Sequence, residues 1–481
     1  MRVAACGQPT NLIGMPVVHA YADDALGDLD AVGAVEALRA GDVSAVELTE
    51  AAIARTERLN PELNGIAYPA FERARDRAAS PDGAFFAGVP SFIKDNSDIS
   101  GMPTMKGADA WEPTPAAADG AFSQLFLATG LNILGKTQMS EFGFSAAAEH
   151  PRLGPVRNPW NTEHTAGASS SGSGALVAAG AVPIAHANDG GGSIRIPASC
   201  TGLVGLKPSR GRLPLEAEHS QMPIKIVANG VLTRSVRDTA AFYREAERQW
   251  ANPKLAPVGD ITGPGRRRLK IVVVTRSLRR DSAVEVCEAT AQTADLLHRL
   301  GHHVEYLDEL PVPDSFVDDF VLYWALLSMA LVRGGRRRFG PTFDVTRLDN
   351  LSRGLDRHAM RNLHRLPMAM ARLAATRRRT NALFGRFDVV LTPTLAEIPP
   401  PIGYLDPMAD YDQIINRLID WVAFTPLHNI TGEPAISLPL ASSDDGMPIG
   451  MMFGAALGQD ATLIELAYEL EEAAPFQRLG A

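Results

Sequence analysis

Two segments dense in glycine and serine interrupt an otherwise apolar part of this chain. The first runs over 167–174, and the second, Asp189-Gly190-Gly191-Gly192-Ser193, follows it closely. Apolar runs at 175–182 and 203–206 flank them, which favours packed elements over a flexible linker. Glycines let successive N–H groups turn toward one point, and three of them before a serine form an anion nest. The pattern predicts a place where negative charge is stabilised beside Ser193.

Strand and helix patterns alternate along the rest of the sequence. The box Ser44-Ala45-Val46-Glu47 predicts a helix start, and we expect Asn60-Pro61 to end that helix. A buried strand at 269–275, a helix at 283–300 and a β-rich stretch at 303–307 form a βα pattern, and further strands are predicted at 388–392 and 435–440. With no repeat and no linker, these elements predict one α/β domain.

Composition and charge exclude several classes of protein. The chain has 481 residues and a net charge of −9, and its three arginine runs (266–268, 336–338, 377–379) carry no interleaved aromatics, so we expect solvated faces and no nucleic-acid partner. The longest apolar stretches reach about a dozen residues, whereas a bilayer span needs about 18. Three scattered cysteines favour neither disulfides nor a zinc site, and residues 1–14 lack the apolar core of a signal peptide. We therefore expect a cytoplasmic protein without a membrane span or a metal.

The run from Gly130 to Thr137 matches the phosphate-binding P-loop pattern. A P-loop follows a strand and opens a helix, whereas here 121–129 predicts a helix, Gly130 its cap and 131–134 a strand. We therefore reject nucleotide binding.

Ser91 and Lys94 match the S-x-x-K pattern of penicillin-recognising enzymes. The companion motifs of those enzymes are missing, and Pro90 with its neighbours predicts a strand rather than the helix that the pattern needs. This interpretation is also rejected.

The glycine-rich segments and several other blocks resemble the amidase signature family of serine hydrolases over nearly the whole chain. The blocks agree in order: 88–96, 135–143, 157–161, 167–175, 189–198, 202–212, 392–394, 429–435 and 446–450. The resemblance implies a single domain over 1–481 with a mixed central sheet of many strands covered by helices on both faces. Within it we expect a helical N-terminal part, a signature core, a variable helical insert and a return to the sheet, at 1–75, 76–250, 251–385 and 386–481.

The resemblance also implies a serine–serine–lysine triad that hydrolyses amides without a cofactor or metal. The matching positions are Ser193 as nucleophile, Ser169 as bridging serine and Lys94 as base. Gly190, Gly191 and Gly192, with the Ser193 amide, match the oxyanion hole, and Ser170, Asp189 and Arg195 match supporting positions. The family's bridging serine follows a cis peptide bond, which would be Ala168-Ser169 here.

Elementary chemistry gives a separate reason for this trio. A lysine accepts a proton only when it is neutral, so the pKa of Lys94 must fall from about 10.4 to about 7.5, which burial can achieve. A serine between Lys94 and Ser193 can pass the proton both ways. No histidine has a catalytic sequence context, and we expect His186 to be a packed strand residue.

We expect an amidase that cleaves an aliphatic or aromatic acyl amide into a carboxylate and ammonia or an amine. Two alternatives stay open: a glutaminase-like subunit that supplies ammonia to a partner in an amidotransferase, and a non-catalytic binding protein on the same fold. The sequence leaves the choice between a monomer and a homodimer open. Met452 stands where the family usually has glutamine, so the resemblance does not fix the contacts on the acyl side of the site.

Overall fold

A computed structural model describes residues 17–480 of the chain. The segment for which no signal peptide is predicted, including Cys6, lies outside these residues. The helices, in chain order, are α1 (Ala31–Ala40), α2 (Ala45–Leu63), α3 (Phe71–Ala78), α4 (Ala121–Ala128), α5 (Ser171–Ala178), α6 (Arg195–Thr201), α7 (Ala217–Ser220), α8 (Val236–Gln249), α9 (Val284–Arg299), α10 (Phe316–Phe339), α11 (Asn350–Asn362), α12 (Leu366–Phe384), α13 (Tyr411–Val422), α14 (Pro426–Thr431) and α15 (Asp460–Ala473). Short 3-10 helices lie at Glu141–Gly143, Val345–Arg347 and Leu363–Arg365.

The strands are numbered in the same way. They are β1 (Ile66–Pro69), β2 (Pro90–Lys94), β3 (Asn132–Thr137), β4 (Glu149–His150), β5 (Gly154–Pro155), β6 (Arg157–Asn158), β7 (Asn161–Thr165), β8 (Ile184–Asp189), β9 (Val204–Lys207), β10 (Ala228–Thr233), β11 (Lys270–Val273), β12 (His303–Tyr306), β13 (Val389–Pro393), β14 (Ala435–Ser442) and β15 (Pro448–Ala455).

One sheet of 11 strands runs through the domain in the order β1-β3-β2-β8-β10-β9-β14-β15-β13-β11-β12. It is mixed: β2 is parallel to β3 and β8, and β11 is parallel to β12 and β13, whereas the other neighbours are antiparallel. Strands from both ends of the chain therefore meet in one sheet, with helices around it, which confirms the predicted α/β class. The strand β1 lies within the stretch 1–75 that was predicted as helical.

The parallel pair β2 and β8 positions the glycine-rich loop. Ser91 pairs with Ile184 and Phe92 with Ala185, so both strands end at the same edge of the sheet. Lys94 is the last residue of β2 and Asp189 the last of β8. Because both strands are buried along their whole length, their ends lie deep in the domain rather than at its surface.

A second helical layer covers this edge. Helices α10, α11 and α13 pack together through apolar residues such as Leu351, Leu355, Leu418 and Trp421. Helices α10 and α11 lie in the stretch 251–385 predicted as a helical insert, and α13 lies beyond it. The layer places aromatic side chains over the glycine-rich loop, as described below.

Helix α2 ends later than predicted. It starts with the predicted capping box, but it continues through Pro61 to Leu63, so the predicted stop at Asn60-Pro61 is wrong. A proline removes one N–H group, and the helix instead ends where Asn64 turns to a left-handed conformation at φ 53°.

The two motifs rejected from the sequence lack the local structure that they need. Helix α4 precedes Gly130 and strand β3 follows it, which is the reverse of the order in a P-loop. Ser91 and Lys94 lie on β2, not on a helix.

Candidate active site

The side chain of Lys94 ends in a buried polar pocket. Its Nζ lies within hydrogen-bonding distance of Ser169 Oγ at 2.7 Å, Ser170 Oγ at 2.9 Å and Asn188 Oδ1 at 2.7 Å. All three partners are neutral. Burial therefore lowers the pKa of Lys94 well below its ordinary value, against the attraction of Asp189. Such a lysine can act as a base.

The two serines beside Lys94 differ in what else they contact. Ser170 Oγ donates to the carbonyl of Ser193 at 2.6 Å and so joins the first glycine-rich segment to the second. Ser169 borders a cavity that Ser193 also lines, and the Ala168-Ser169 peptide bond is cis. The structure thus places Ser169 between the lysine and the open space in front of Ser193.

The glycine-rich loop presents its N–H groups to the same space. Within residues 17–480, the N–H groups of Gly190, Gly191 and Ser193 have no acceptor. Gly192 differs from the sequence prediction, because its N–H donates to Asp189 Oδ1 at 2.7 Å. Its φ of 137° lies where side chains other than hydrogen are strained, so Gly192 shapes the loop.

A buried ion pair holds the loop from below. Arg195 Nε donates to Asp189 Oδ2 at 2.9 Å, and neither side chain is exposed. Asn429, on α14, donates to Asp189 Oδ1 at 2.8 Å and accepts from Arg195 at 2.7 Å. Although burial raises the pKa of Asp189, Arg195 holds it well below its usual range, so the carboxylate stays charged. Asp189 and Arg195 thus form a charged pair beneath the loop that carries Ser193.

Sequence reasoning missed Asn188 and Asn429. Asn188 lies inside the apolar run of β8, where no motif marks it, and Asn429 lies 240 positions from Asp189. His186 is packed on β8 as expected. Its Nδ1 accepts the N–H of Lys94 at 3.2 Å, and burial lowers its pKa to about 3.

Two cavities meet at Ser193. The first, of about 100 Å³, is bordered by Gly191, Ala168 and apolar residues of α10 and α13: Phe316, Val317, Phe320, Val321, Ile415, Leu418 and Ile419. The second, of about 250 Å³, is bordered by Ser169, Asn188 and Gly190 and extends to Lys106, Glu218 and Arg338. Gly143, Phe144 and Trp324 border both cavities. Ser193 Oγ, which has no hydrogen-bond partner among residues 17–480, therefore faces a site with two arms.

Met452 lies away from both cavities. It is buried on β15 and places its Sδ 3.3 Å from Arg195. Its side chain therefore contacts the residue that holds the loop and does not line the space in front of Ser193. The cause is the antiparallel pairing of β15 with β13 and β14, which directs Met452 beneath the loop that Arg195 supports.

Residues 17–480 contain no group of three or more side chains suited to a metal ion, and no helix there is both long enough and apolar enough to cross a membrane.

A family model described as Amidase matches residues 47–464. The chain belongs to the amidase signature family. As a member of this family, it is an enzyme that hydrolyses amides through an acyl-enzyme.

Relatives of this amidase signature chain include the putative amidase AmiC of Mycobacterium leprae, which is 65% identical over 97% of this chain and 99% of its own length. The solved structure of a 6-aminohexanoate cyclic dimer hydrolase complexed with substrate superposes with a TM-score of 0.84 at 30% identity, covering 94% of this chain and 98% of that one. A bacterial aryl acylamidase structure gives 0.84 at 27% identity, covering 93% and 96%. The single domain and mixed sheet described above are thus those of amidase signature enzymes.

Proposed function

We propose that Ser193 is the nucleophile of this amidase, with Lys94 as the base and Ser169 as the group that carries the proton between them. The contact of 2.7 Å between Lys94 Nζ and Ser169 Oγ, beside a loop with free N–H groups, is the observation that supports this most directly. A base must reach the proton that it removes, directly or through one intermediate group. Ser169 borders the cavity and can serve as that group.

Acylation follows from this arrangement. Neutral Lys94 takes the proton of Ser169, Ser169 takes that of Ser193, and the Ser193 oxygen attacks the carbonyl carbon of the amide. The oxygen that becomes negative accepts hydrogen bonds from the N–H groups of Gly190, Gly191 and Ser193. We assign Gly192, whose N–H donates to Asp189, to positioning this loop. When the C–N bond breaks, Ser169 returns a proton to the leaving nitrogen and receives one from Lys94.

Deacylation reverses the roles. Water enters the place of the amine and attacks the acyl carbon, giving a proton to Ser169 while Ser169 passes its own proton to neutral Lys94. The Ser193–acyl bond then breaks, Ser193 regains a proton from Lys94 through Ser169, and the carboxylic acid product leaves. No step needs a cofactor.

The substrate is proposed to be an amide with an aliphatic or aromatic acyl group. The apolar lining of the first cavity supports this, and relatives are named as acting on a cyclic amide dimer and as an aryl acylamidase. The absence of a cysteine framework supports a reducing compartment, and we propose the cytoplasm. A homodimer remains a prediction, which sedimentation of the purified chain would test.

A fluorophosphonate probe tests the nucleophile. We expect one label per chain on the peptide that carries Ser193, and loss of both the label and amide turnover in Ser193→Ala. Ser199→Ala, which removes a nearby serine that borders neither cavity, is the control and should still be labelled. Full amide turnover by folded Ser193→Ala would refute the assignment.

A further inference from the structure

The two arms of the site differ in their relation to Ser169. Ser169 borders the second cavity but not the first, whereas Ser193 borders both. In the proposed mechanism the leaving nitrogen must lie close enough to Ser169 to take a proton from it. The amine half of the substrate therefore belongs in the second cavity, and the acyl half in the apolar first cavity.

One face of α10 forms a wall of the second cavity. Trp324, Leu327, Leu331 and Arg338 all border it. Trp324, Leu331 and Arg338 are spaced by seven residues, which returns a helix to nearly the same face. At about 1.5 Å per residue, Arg338 begins about 21 Å beyond Trp324, and its side chain leans back toward the start of the helix. The wall is therefore apolar near Ser193 and cationic at its far end.

The charged side chains that border the far end of this cavity are Lys106, Glu218 and Arg338. Lys106 Nζ lies 2.7 Å from Glu218 Oε1, while Arg338 approaches Glu218 only to 3.9 Å. Burial raises the pKa of Glu218, but the cations Lys106 and Arg338 help to lower it to about 2, so the residue contributes one negative charge. Burial lowers the pKa of His219 to about 4, so this ring is neutral. Two cations thus face one anion.

Arg338 keeps its donors available. No acceptor within residues 17–480 forms a hydrogen bond with its guanidinium group, and 40% of its side chain is exposed at the mouth of the cavity. A guanidinium group with free N–H groups matches the paired oxygens of a carboxylate. The run 336–338, interpreted from sequence as a solvated helix end, thus contributes one residue to the site.

We propose that this amidase selects substrates whose amine half carries a carboxylate at the end of a chain of about eleven methylene groups, long enough to span the roughly 15 Å that remains after the Arg338 side chain reaches back, and that Arg338 is the residue that binds it. The inference rests on the proposed function. An N-acyl amino acid and water would give a fatty or aromatic carboxylate and a free amino acid: the C–N bond breaks, the acyl carbon gains the water oxygen, and the nitrogen gains a proton. The acyl group stays in the first cavity, against Phe316 and Phe320.

Paired substrates that differ only in their terminal group test this. N-hexanoyl-12-aminododecanoate carries the carboxylate, N-hexanoyl-12-amino-1-dodecanol replaces it with a hydroxyl group, and N-hexanoylglycine carries it too close to the amide. We expect wild-type kcat/KM to favour the long carboxylate over the alcohol by about tenfold, as a charge-assisted contact at a partly exposed site implies. N-hexanoylglycine should show no such advantage.

Arg338→Gln should reduce this preference to less than about threefold, whereas Arg337→Gln, a neighbour on the same helix that borders neither cavity, should retain it. Equal use of the long carboxylate and the alcohol by the wild type, or an undiminished preference in folded Arg338→Gln, would overturn the inference. Fluorophosphonate labelling of Ser193 distinguishes a failure of this inference from a failure of the proposed function. Normal labelling without a carboxylate preference overturns only this inference, whereas an unlabelled, inactive wild type overturns the proposed function as well.

Discussion

Lys94 Nζ lies 2.7 Å from Ser169 Oγ, and no carboxylate of residues 17–480 forms a hydrogen bond with this Nζ. The carboxylate that acts on Lys94 from a distance, Asp189, is bound by Arg195 at 2.9 Å. Because Arg195 already balances that charge, the burial of Lys94 decides its protonation, and its pKa falls. The ion pair under the loop therefore has two effects: it fixes the glycine N–H groups, and it leaves the lysine free to be neutral.

A neutral base predicts how activity depends on pH. Since the proposed mechanism needs Lys94 unprotonated, log kcat/KM should fall with a slope of one as pH drops below the lowered pKa of this group, and should level off above it. Lys94→Ala should reduce kcat by about 10²- to 10⁴-fold and remove this ionisation. Lys225→Ala, at an exposed lysine, is the control. A wild-type profile without an acidic limb would contradict a lysine base.

The two serines that contact Lys94 should respond differently to substitution. Ser169→Ala removes the proposed proton carrier, so we expect kcat and the rate of fluorophosphonate labelling to fall by about 10²- to 10⁴-fold. Ser170→Ala removes a hydrogen bond of 2.6 Å to the Ser193 carbonyl, which should cost about 1 kcal/mol of unfolding free energy and reduce kcat far less. Urea unfolding and steady-state kinetics of both variants check this. Equal losses of activity would argue against Ser169 as the carrier.

The order of strands and helices could be read from the sequence because periodicity reports local burial. The strands β11, β13 and β14 and the helix α9 all lie where the patterns predicted them. A prediction that depended on one residue, the end of α2 at Pro61, was wrong. Pro61 was expected to end α2, yet the helix tolerates it near its C-terminal end and closes at Asn64.

The candidate site was predictable only as far as motif residues carry it. Lys94, Ser169 and Ser193 each lie in a segment that matches a family motif. The parallel pairing of β2 with β8 explains why Lys94 and the loop of Ser193 lie close together. Asn429 opens the block 429–435, but its role could not be predicted, because only the folded chain brings α14 under Asp189. The run 336–338 is exposed as predicted, but a charged run does not show that one member, Arg338, also borders a cavity.

Gly192 and Gly190 offer a matched pair within the loop. A Cβ atom on Gly192 would lie 2.7 Å from Ile196 Cδ1 and 2.8 Å from Thr425 Cβ, and the φ of 137° adds backbone strain. Gly192→Ala should therefore lower the free energy of unfolding by about 2–3 kcal/mol and disturb the oxyanion loop. A Cβ on Gly190 would meet Trp324 at 3.4 Å, an ordinary contact, so Gly190→Ala should keep near wild-type stability. Urea unfolding distinguishes them, and equal stability of the two variants would contradict the loop geometry.

Glu141 and Asp349 form a buried pair of acids next to the segment that borders both cavities. Glu141 Oε1 accepts the N–H of Asp349 at 3.1 Å, and Asp349 caps α11 by accepting the Ser352 N–H at 2.6 Å. Burial and the charge of Asp349 raise the pKa of Glu141 well above its ordinary value. We therefore infer that the folded protein keeps a proton on Glu141 at pH values where the unfolded chain, with a Glu pKa of about 4.3, has lost it.

This pair predicts how stability depends on pH. Because the folded state binds the extra proton, its contribution is complete below about pH 4.3 and is lost, by up to 1.36 kcal/mol per pH unit, as pH rises toward the raised pKa. Glu141→Gln cannot lose a proton, so its unfolding free energy relative to wild type should rise steadily as the pH increases above about 4.5. Urea unfolding at several pH values measures this difference, with Glu112→Gln as the exposed control. A difference that is constant with pH would mean that Glu141 is charged in the folded protein.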